Sequence, residues 1–176
     1  MVGHFNRAPA ALAAGAGLAR TIAMTGQTHK ATRTILATPH AIFRAFVDPE
    51  VVTKWRAPAG MEARLEAFDP RPGGGYRMAL RYRDPASATP KSPSDSDVVE
   101  ARFVELLPDE QIVEAVTFAS DDPRFAGTMT ITTTLTPVTG GTKVSVIAAN
   151  VPVGIAAADH LADMDSSLKN LANLLE

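Results

Sequence analysis

Residues 154–176, with the sequence GIAAADHLADMDSSLKNLANLLE, have the pattern of one long amphipathic helix. Apolar residues recur in it at intervals of three and four, which places them in one stripe on a helical surface. The stripe consists of Ala157, Leu161, Met164, Leu168, Leu171 and Leu175. Asp159, Asp163, Lys169 and Asn173 fall outside this stripe. We therefore predict a helix that lies along a surface and buries only its apolar side.

The surface under this helix is expected to be an antiparallel sheet, because the preceding sequence alternates apolar and polar residues between frequent turn residues. Strand patterns cover residues 61–68, 76–82, 97–107, 111–118, 128–136 and 142–149. The clearest alternation, at residues 76–82, places Tyr76, Met78, Leu80 and Tyr82 on one face of its strand. We predict that this face is the dry one and packs under the helix.

The chain upstream of the sheet predicts one more strand and two short helices. Residues 32–37 are rich in β-branched side chains, so a strand is expected there. Thr38 and Pro39 form a helix-start signal, since threonine caps the first turn and proline fits the first helical position. Asp48 and Pro49 repeat this signal. Short helices are therefore expected at residues 40–47 and 50–55.

These elements predict a single α+β domain over residues 31–176. Residues 85–96, rich in Pro, Ser and Asp, are expected to form a mobile loop within this domain. Residues 1–30 contain no acidic residue and are rich in Ala and Gly. This composition predicts a poorly ordered tail, or a natural start at Met24, with a signal peptide as the alternative.

The composition argues against several classes of function. The chain has no cysteine, which rules out disulfides, thiol nucleophiles and zinc-thiolate sites. A net charge of -2 argues against a nucleic-acid partner, because phosphate binding needs a concentrated excess of Lys and Arg. No stretch approaches the roughly 20 apolar residues of a membrane span. We therefore expect a cytoplasmic protein whose partner is neither a nucleic acid nor a membrane.

Several spaced motifs carry a resemblance to a known superfamily. They are ATPHAIFRAF at residues 37–46, DPE at 48–50 with Trp55, DPRPGG at 69–74, VELLPDEQIV at 104–113 and GGTKV at 140–144. With the order of helix pair, sheet and terminal helix, they resemble the START-like or SRPBCC superfamily. The most similar branch contains proteins related to the activator of the ninety-kilodalton heat-shock chaperone's ATPase. The likeness spans residues 32–176.

The resemblance implies the helix-grip fold, in which a curved antiparallel sheet of about six or seven strands wraps around the long C-terminal helix. It also implies a cavity between sheet and helix. Relatives bind lipids, hormones and polyketides, cyclise aromatic compounds or assist chaperones, so the fold does not define the chemistry. Two positions depart from the branch. Arg56 stands where a second Trp often follows the Trp of the helix pair, and Asp163 and Met164 replace a Gly-Trp pair.

A small-molecule pocket between the predicted dry face and the helices has several candidate lining residues. These candidates are Trp55, Tyr76, Met78, Tyr82, Phe118, Met129 and Met164. Methionine is flexible and polarizable, and tyrosine combines an apolar ring with an orienting hydroxyl, so the mixture suits an apolar guest. The alternative is a core that these side chains fill completely.

Two ionisable residues are further candidates. Glu114 shares the parity of Ile112, Val116 and Phe118, so on a regular strand it points inward, where it would serve as an acid, a base or a hydrogen-bond partner of a guest. An edge position or a bulge would instead turn it to water. His160, one turn before Met164, reaches the pocket mouth or faces solvent. Asp159, His160 and Asp163 contain only one histidine, and we expect neither a metal nor a cofactor.

The sequence therefore favours non-catalytic binding of a hydrophobic small molecule between sheet and helix. One alternative is a co-chaperone-like domain that binds a protein and stimulates a chaperone ATPase. The other is a cyclase- or hydrolase-type enzyme that uses Glu114 or His160 in the same pocket. No serine nucleophile elbow or phosphate-binding loop supports a specific reaction. The oligomeric state, including a homodimer, stays open.

Overall fold

The computed structural model describes residues 26–84, 86 and 96–176. The predicted tail up to residue 25, and all of the predicted 85–96 loop except residues 86 and 96, lie outside the described residues. The elements in chain order are β1 (Gln27–Ile35), α1 (Pro39–Val47), α2 (Pro49–Arg56), β2 (Met61–Asp69), β3 (Gly75–Tyr82), β4 (Ser96–Leu107), β5 (Gln111–Phe118), β6 (Met129–Val138), β7 (Gly141–Val151) and α3 (Ala157–Leu175).

The strands form one seven-stranded antiparallel sheet in the order β1-β7-β6-β5-β4-β3-β2. This confirms the α+β helix-grip architecture and the predicted number of strands. The first strand begins at Gln27 rather than at Thr32. A buried histidine, His29, occupies an inward position in the added part, and this polar residue hid the alternation that marks the rest of β1.

The two short helices begin as their sequences predict. The Thr38 side chain accepts a hydrogen bond from the Ala41 N–H at 3.1 Å, and Asp48 accepts one from the Glu50 N–H at 2.9 Å. Proline occupies the first position of each helix. The indole N–H of Trp55 donates to the Ala45 carbonyl at 3.0 Å, which locks α2 onto α1. This contact fixes the end of α2 over the inner face of the sheet.

Helix α3 packs most closely on β1, α1 and α2. In the second half the predicted stripe is buried at Leu168 and Leu171, and Ala172, which lies outside the predicted stripe, is buried as well. In the first half the prediction is wrong for Leu161, which is 40% exposed, and for Ala157, which is also exposed, whereas Met164 is partly buried against the core. The C-terminal half rests against α2 and the core, whereas the N-terminal half spans a space above the sheet that it does not fill.

The two halves of α3 are expected to respond differently to truncation. Replacing Leu171 with alanine should lower the free energy of unfolding by about 2–5 kcal/mol, since the side chain is completely buried. The matched control Leu161→Ala should change it by less than about 0.5 kcal/mol. Urea denaturation of both variants measures the two changes in the free energy of unfolding. Equal changes would show that the two halves of α3 contribute equally to stability.

Candidate functional site

An apolar cavity of about 180 Å³ lies between α3 and the inner face of the sheet. Most of its lining is aliphatic, aromatic or methionine side chains from α1, α2, five strands and α3. Seven of the sequence candidates line it, namely Trp55, Tyr76, Met78, Phe118, Met129, His160 and Met164. Further lining residues include Phe46, Arg56, Leu80, Val116, Ile131, Asp163 and Leu168. Apolar side chains of the sheet therefore form one side of the cavity, and α3 forms the opposite side.

Two candidates do not line this cavity. Tyr82 has the parity of Tyr76 and Met78, but it pairs with Met61 at the far end of β3, beyond the cavity wall that ends at Leu80. Glu114 is completely buried behind the wall rather than in it. The alternation of residues along a strand thus predicted the correct face of the sheet for Tyr82 and Glu114. Alternation does not show whether a residue on that face lines the cavity.

Glu114 points inward because β5 is regular on both sides of it. The pairing of β4 with β5 does contain an irregularity, but it lies between Phe103 and Glu105 on β4, and β5 stays in phase. One carboxylate oxygen, Oε1, accepts a hydrogen bond from Arg56 Nη2 at 2.7 Å and another from the Tyr76 hydroxyl at 2.9 Å. The alternative in which Glu114 faces water is therefore wrong.

Arg56, the last residue of α2, brings a charge into this apolar site. Its side chain is 14% exposed, and the guanidinium carbon lies 5.1 Å from the ring centre of Phe46, 4.7 Å from Trp55 and 5.4 Å from Tyr76. Contacts of this kind with ring faces are attractive cation–π interactions. Burial acts to lower the pKa of Arg56, but the charge of Glu114 and its hydrogen bond outweigh this effect, and the pKa is raised. The guanidinium is therefore a fixed cation in the cavity wall.

Tyr76 connects Glu114 to the cavity as a neutral hydrogen-bond donor. Burial is the main cause that raises its pKa far above the ordinary value of 10.0; the Arg56 charge opposes this effect and the Glu114 charge adds to it. Its ring packs against Phe68 and Phe103 at centroid distances of 6.2 Å and 5.8 Å. The hydroxyl therefore keeps its proton while the protein is folded.

We expect Tyr76 to destabilise the fold at alkaline pH. Above about pH 10 the unfolded chain releases the tyrosine proton while the folded chain retains it, so the stability present below that pH is lost as pH rises, at about 1.4 kcal/mol per pH unit. The variant Tyr76→Phe should lose less of its free energy of unfolding as pH rises above about 10. Chemical denaturation of the wild type and the variant at several pH values measures this dependence. If both proteins lose stability equally with pH, Tyr76 ionises in the folded state.

A pair of histidines joins β1 to the start of α3 beside the cavity. His29 is buried, and its Nδ1 lies 2.7 Å from Nδ1 of His160. The other His29 nitrogen, Nε2, lies 2.9 Å from the Gln27 side-chain oxygen, so it must carry a proton. The two Nδ1 atoms share one hydrogen bond. His160 thus lines the cavity and contacts β1. The sequence does not indicate its partner, because the composition of residues 1–30 predicts a tail.

No group of three or more potential ligands among the described residues could hold a metal ion. None of the helices in the part of the chain that the structure describes is long and apolar enough to cross a membrane. The polar side chains of the site are Arg56 and Tyr76 with Glu114 behind them, His160 with its partner His29, and the lining residues Thr133, Asp163 and Ser167.

Comparison with known proteins relates this architecture to a family. The model of the family described as "Activator of Hsp90 ATPase homolog 1-like protein" matches residues 36–176. The chain belongs to this family. The predicted resemblance is thereby confirmed for both the superfamily and the branch. None of the curated proteins compared matches the chain.

Solved structures of similar proteins agree with the family assignment. A crystal structure of a protein from Chromobacterium violaceum is 32% identical, with a TM-score of 0.74, and the match covers 85% of this chain and 96% of that one. A protein from Rhodobacter sphaeroides is 19% identical over 86% of this chain and 94% of its own, with a TM-score of 0.69. An Arthrobacter aurescens protein reaches a TM-score of 0.70 at 15% identity, over 84% and 85% of the two chains. The last two show a shared fold only.

Within the activator of Hsp90 ATPase homolog 1-like family, the two departures noted in the sequence both fall on this cavity. Arg56 and Met164 line it, and so does Asp163. A cation and a flexible thioether therefore stand at lining positions where the resemblance implies tryptophan.

Proposed function

We propose that the chain binds a hydrophobic small molecule, without catalysing a reaction on it, in the cavity between α3 and the sheet. The observation that carries the proposal is the apolar cavity of about 180 Å³, which three methionines and several aromatic side chains line. Methionine and aromatic linings adapt to flat apolar guests. A filled core would leave no such space, because protein interiors are normally close-packed.

The volume limits the size of the guest. An apolar cavity of about 150 Å³ holds one benzene molecule, whereas drug-sized ligands occupy pockets of roughly 300–1,000 Å³. A cavity of about 180 Å³ suits a single aromatic ring with a small substituent. Whole lipids and polyketides exceed this volume. We therefore favour small aromatic compounds over the larger guests of many relatives.

A thermal-shift screen tests this proposal. One-ring aromatic compounds at about 100 times their dissociation constant should stabilise the protein by about 2.7 kcal/mol, whereas ligands that cannot enter should not. Native mass spectrometry of freshly purified protein should show the mass of a retained guest. If no compound stabilises the chain and no guest mass appears, the proposal fails.

The family description supports a second candidate, a co-chaperone-like domain that stimulates a chaperone ATPase. This candidate requires a docking surface for a protein rather than a cavity. Purified chain should then bind the purified chaperone and raise its rate of ATP hydrolysis. An unchanged rate at saturating protein would exclude this function. For either candidate we propose that the functional domain is the predicted 31–176 domain extended to the start of β1 at Gln27, and that its location is the cytoplasm.

A further inference from the structure

The contact between His29 and His160 joins β1 to the first half of α3. Their Nδ1 atoms lie 2.7 Å apart, and His29 is only 6% exposed. A hydrogen bond between two ring nitrogens holds one proton, which one nitrogen donates and the other accepts. The contact is therefore compatible with two neutral rings, or with one neutral and one protonated ring.

Two protonated rings cannot keep this contact. A protonated imidazole carries a hydrogen on each nitrogen, so both Nδ1 atoms would be donors and neither could accept. Two positive charges would also face each other across 2.7 Å beside a buried ring, where water screens their repulsion weakly. Uptake of a proton by the second ring therefore requires that the two rings move apart.

Of the two elements that the histidines join, α3 is the one that is free to move at this point. His29 belongs to the sheet, where it pairs with Ala148 of β7. By contrast, none of the side chains of residues 157–164, all of which the structure describes, is buried. The buried side chains of α3 begin at Leu168. The first half of the helix therefore depends on the histidine contact more than the second half does.

The other charged groups around the pair keep their charge on mild acidification. They are Asp159, Asp163 and Asp165 on α3, Arg33 of β1, which pairs with Asp165 at 3.7 Å, and Arg56 of α2, which lines the same cavity as His160. Carboxylates ordinarily titrate near pH 4 and arginines above pH 12, whereas histidines change charge between about pH 5 and 8. The two imidazoles are thus the groups whose charge changes in this range.

From this geometry we propose that the His29–His160 contact is a pH-sensitive latch. It holds the first half of α3 on the sheet while at most one of the two rings is protonated, and it releases this half when both are. His160 lines the cavity, so release opens the cavity on the side of β1. The released state binds one more proton than the closed state, so the equilibrium constant for release rises up to about tenfold per pH unit as pH falls. The latch is a property of the chain without a guest, and its test is independent of the proposed function.

Amide hydrogen exchange of the wild-type chain at about pH 7.5 and about pH 5 tests this proposal, with each rate divided by that of an unstructured peptide at the same pH. Protection of the amides of residues 160–166 should fall at least about tenfold at the lower pH. Protection of the amides of residues 168–175 should change by less than about threefold, because the buried side chains hold this half. Unchanged protection in the first half, or an equal loss in both halves, would overturn the proposal.

Two variants assign the response to the latch. His160→Asn keeps a short hydrogen-bonding side chain but cannot gain a charge, so protection of residues 160–166 should no longer depend on pH in this range. The control His40→Gln removes an exposed histidine that contacts Asp109 at 3.0 Å, and it should respond as the wild type does. A wild-type response in His160→Asn would overturn the proposal.

Nuclear magnetic resonance of the wild-type chain with ¹⁵N-labelled histidine observes the contact itself, and it decides the question if His160→Asn does not fold. A scalar coupling between the two Nδ1 nuclei across the shared hydrogen bond should be present at about pH 7.5 and absent at about pH 5. A coupling that persists at the lower pH would overturn the proposal.

Discussion

Replacing Glu114 with glutamine is expected to lower the free energy of unfolding by about 3–5 kcal/mol, because it leaves the buried Arg56 cation without its counterion. The side chain keeps nearly the same shape, so lost packing contributes little to the change. Glu114 is completely buried and Arg56 is 14% exposed, which limits the help that water gives to the unpaired charge. Chemical denaturation of the wild type and the variant measures the loss.

The double variant Arg56→Met/Glu114→Gln is the matched control for this effect. Removing both charges should restore most of the stability that the single variant loses, since replacing a whole buried ion pair is often close to neutral. The two changes should therefore be strongly non-additive, as expected for groups in direct contact. A single variant within about 0.5 kcal/mol of the wild type would show that Arg56 does not depend on Glu114.

Replacing Met164 with tryptophan is expected to weaken the binding of toluene and phenol by about 10- to 100-fold, because the larger side chain fills the space of the guest. Met164 lines the cavity from α3 and is only partly buried, so the helix can accept the new ring. Filling a void can also raise stability, which separates this result from simple unfolding. Calorimetric titration and thermal denaturation together measure both effects.

Leu161→Trp is the control for this substitution. Leu161 lies on the same helix, is 40% exposed and does not line the cavity. The Leu161→Trp substitution introduces the same side chain outside the cavity, so the affinity for the guest should stay within about twofold of the wild type. If Met164→Trp binds both probes as the wild type does, the guest lies elsewhere.

The fold could be predicted where local sequence and tertiary structure agree. Thr38 with Pro39, and Asp48 with Pro49, start helices through contacts within a few residues, and such signals are visible in the sequence. The alternation in β3 likewise marked its dry face. The first strand was predicted too short, because the inward position of His29 makes sense only with His160, 131 residues away.

The site was harder to predict, because its polar part depends on long-range contacts. In the sequence, Arg56 stands out only as a departure from the family pattern, and its contact with Glu114 joins residues that are 58 positions apart. The direction of Glu114 depended on whether an irregularity falls on β4 or on β5, and the alternation of one strand does not reveal this. Tyr82 is a further example, since the alternation predicts which face of the sheet it lies on but not whether it lies beside the cavity.

The central claim is that α3 covers the inner face of the sheet without filling the space between them. Diffraction from crystals pressurised with xenon tests it most directly, because xenon enters dry apolar cavities whatever their hydrogen-bonding groups. We expect a xenon atom between α3 and the sheet, in contact with Met78, Met129 and Met164. Crystals with no xenon at this position, and with these three side chains packed against one another, would contradict the claim.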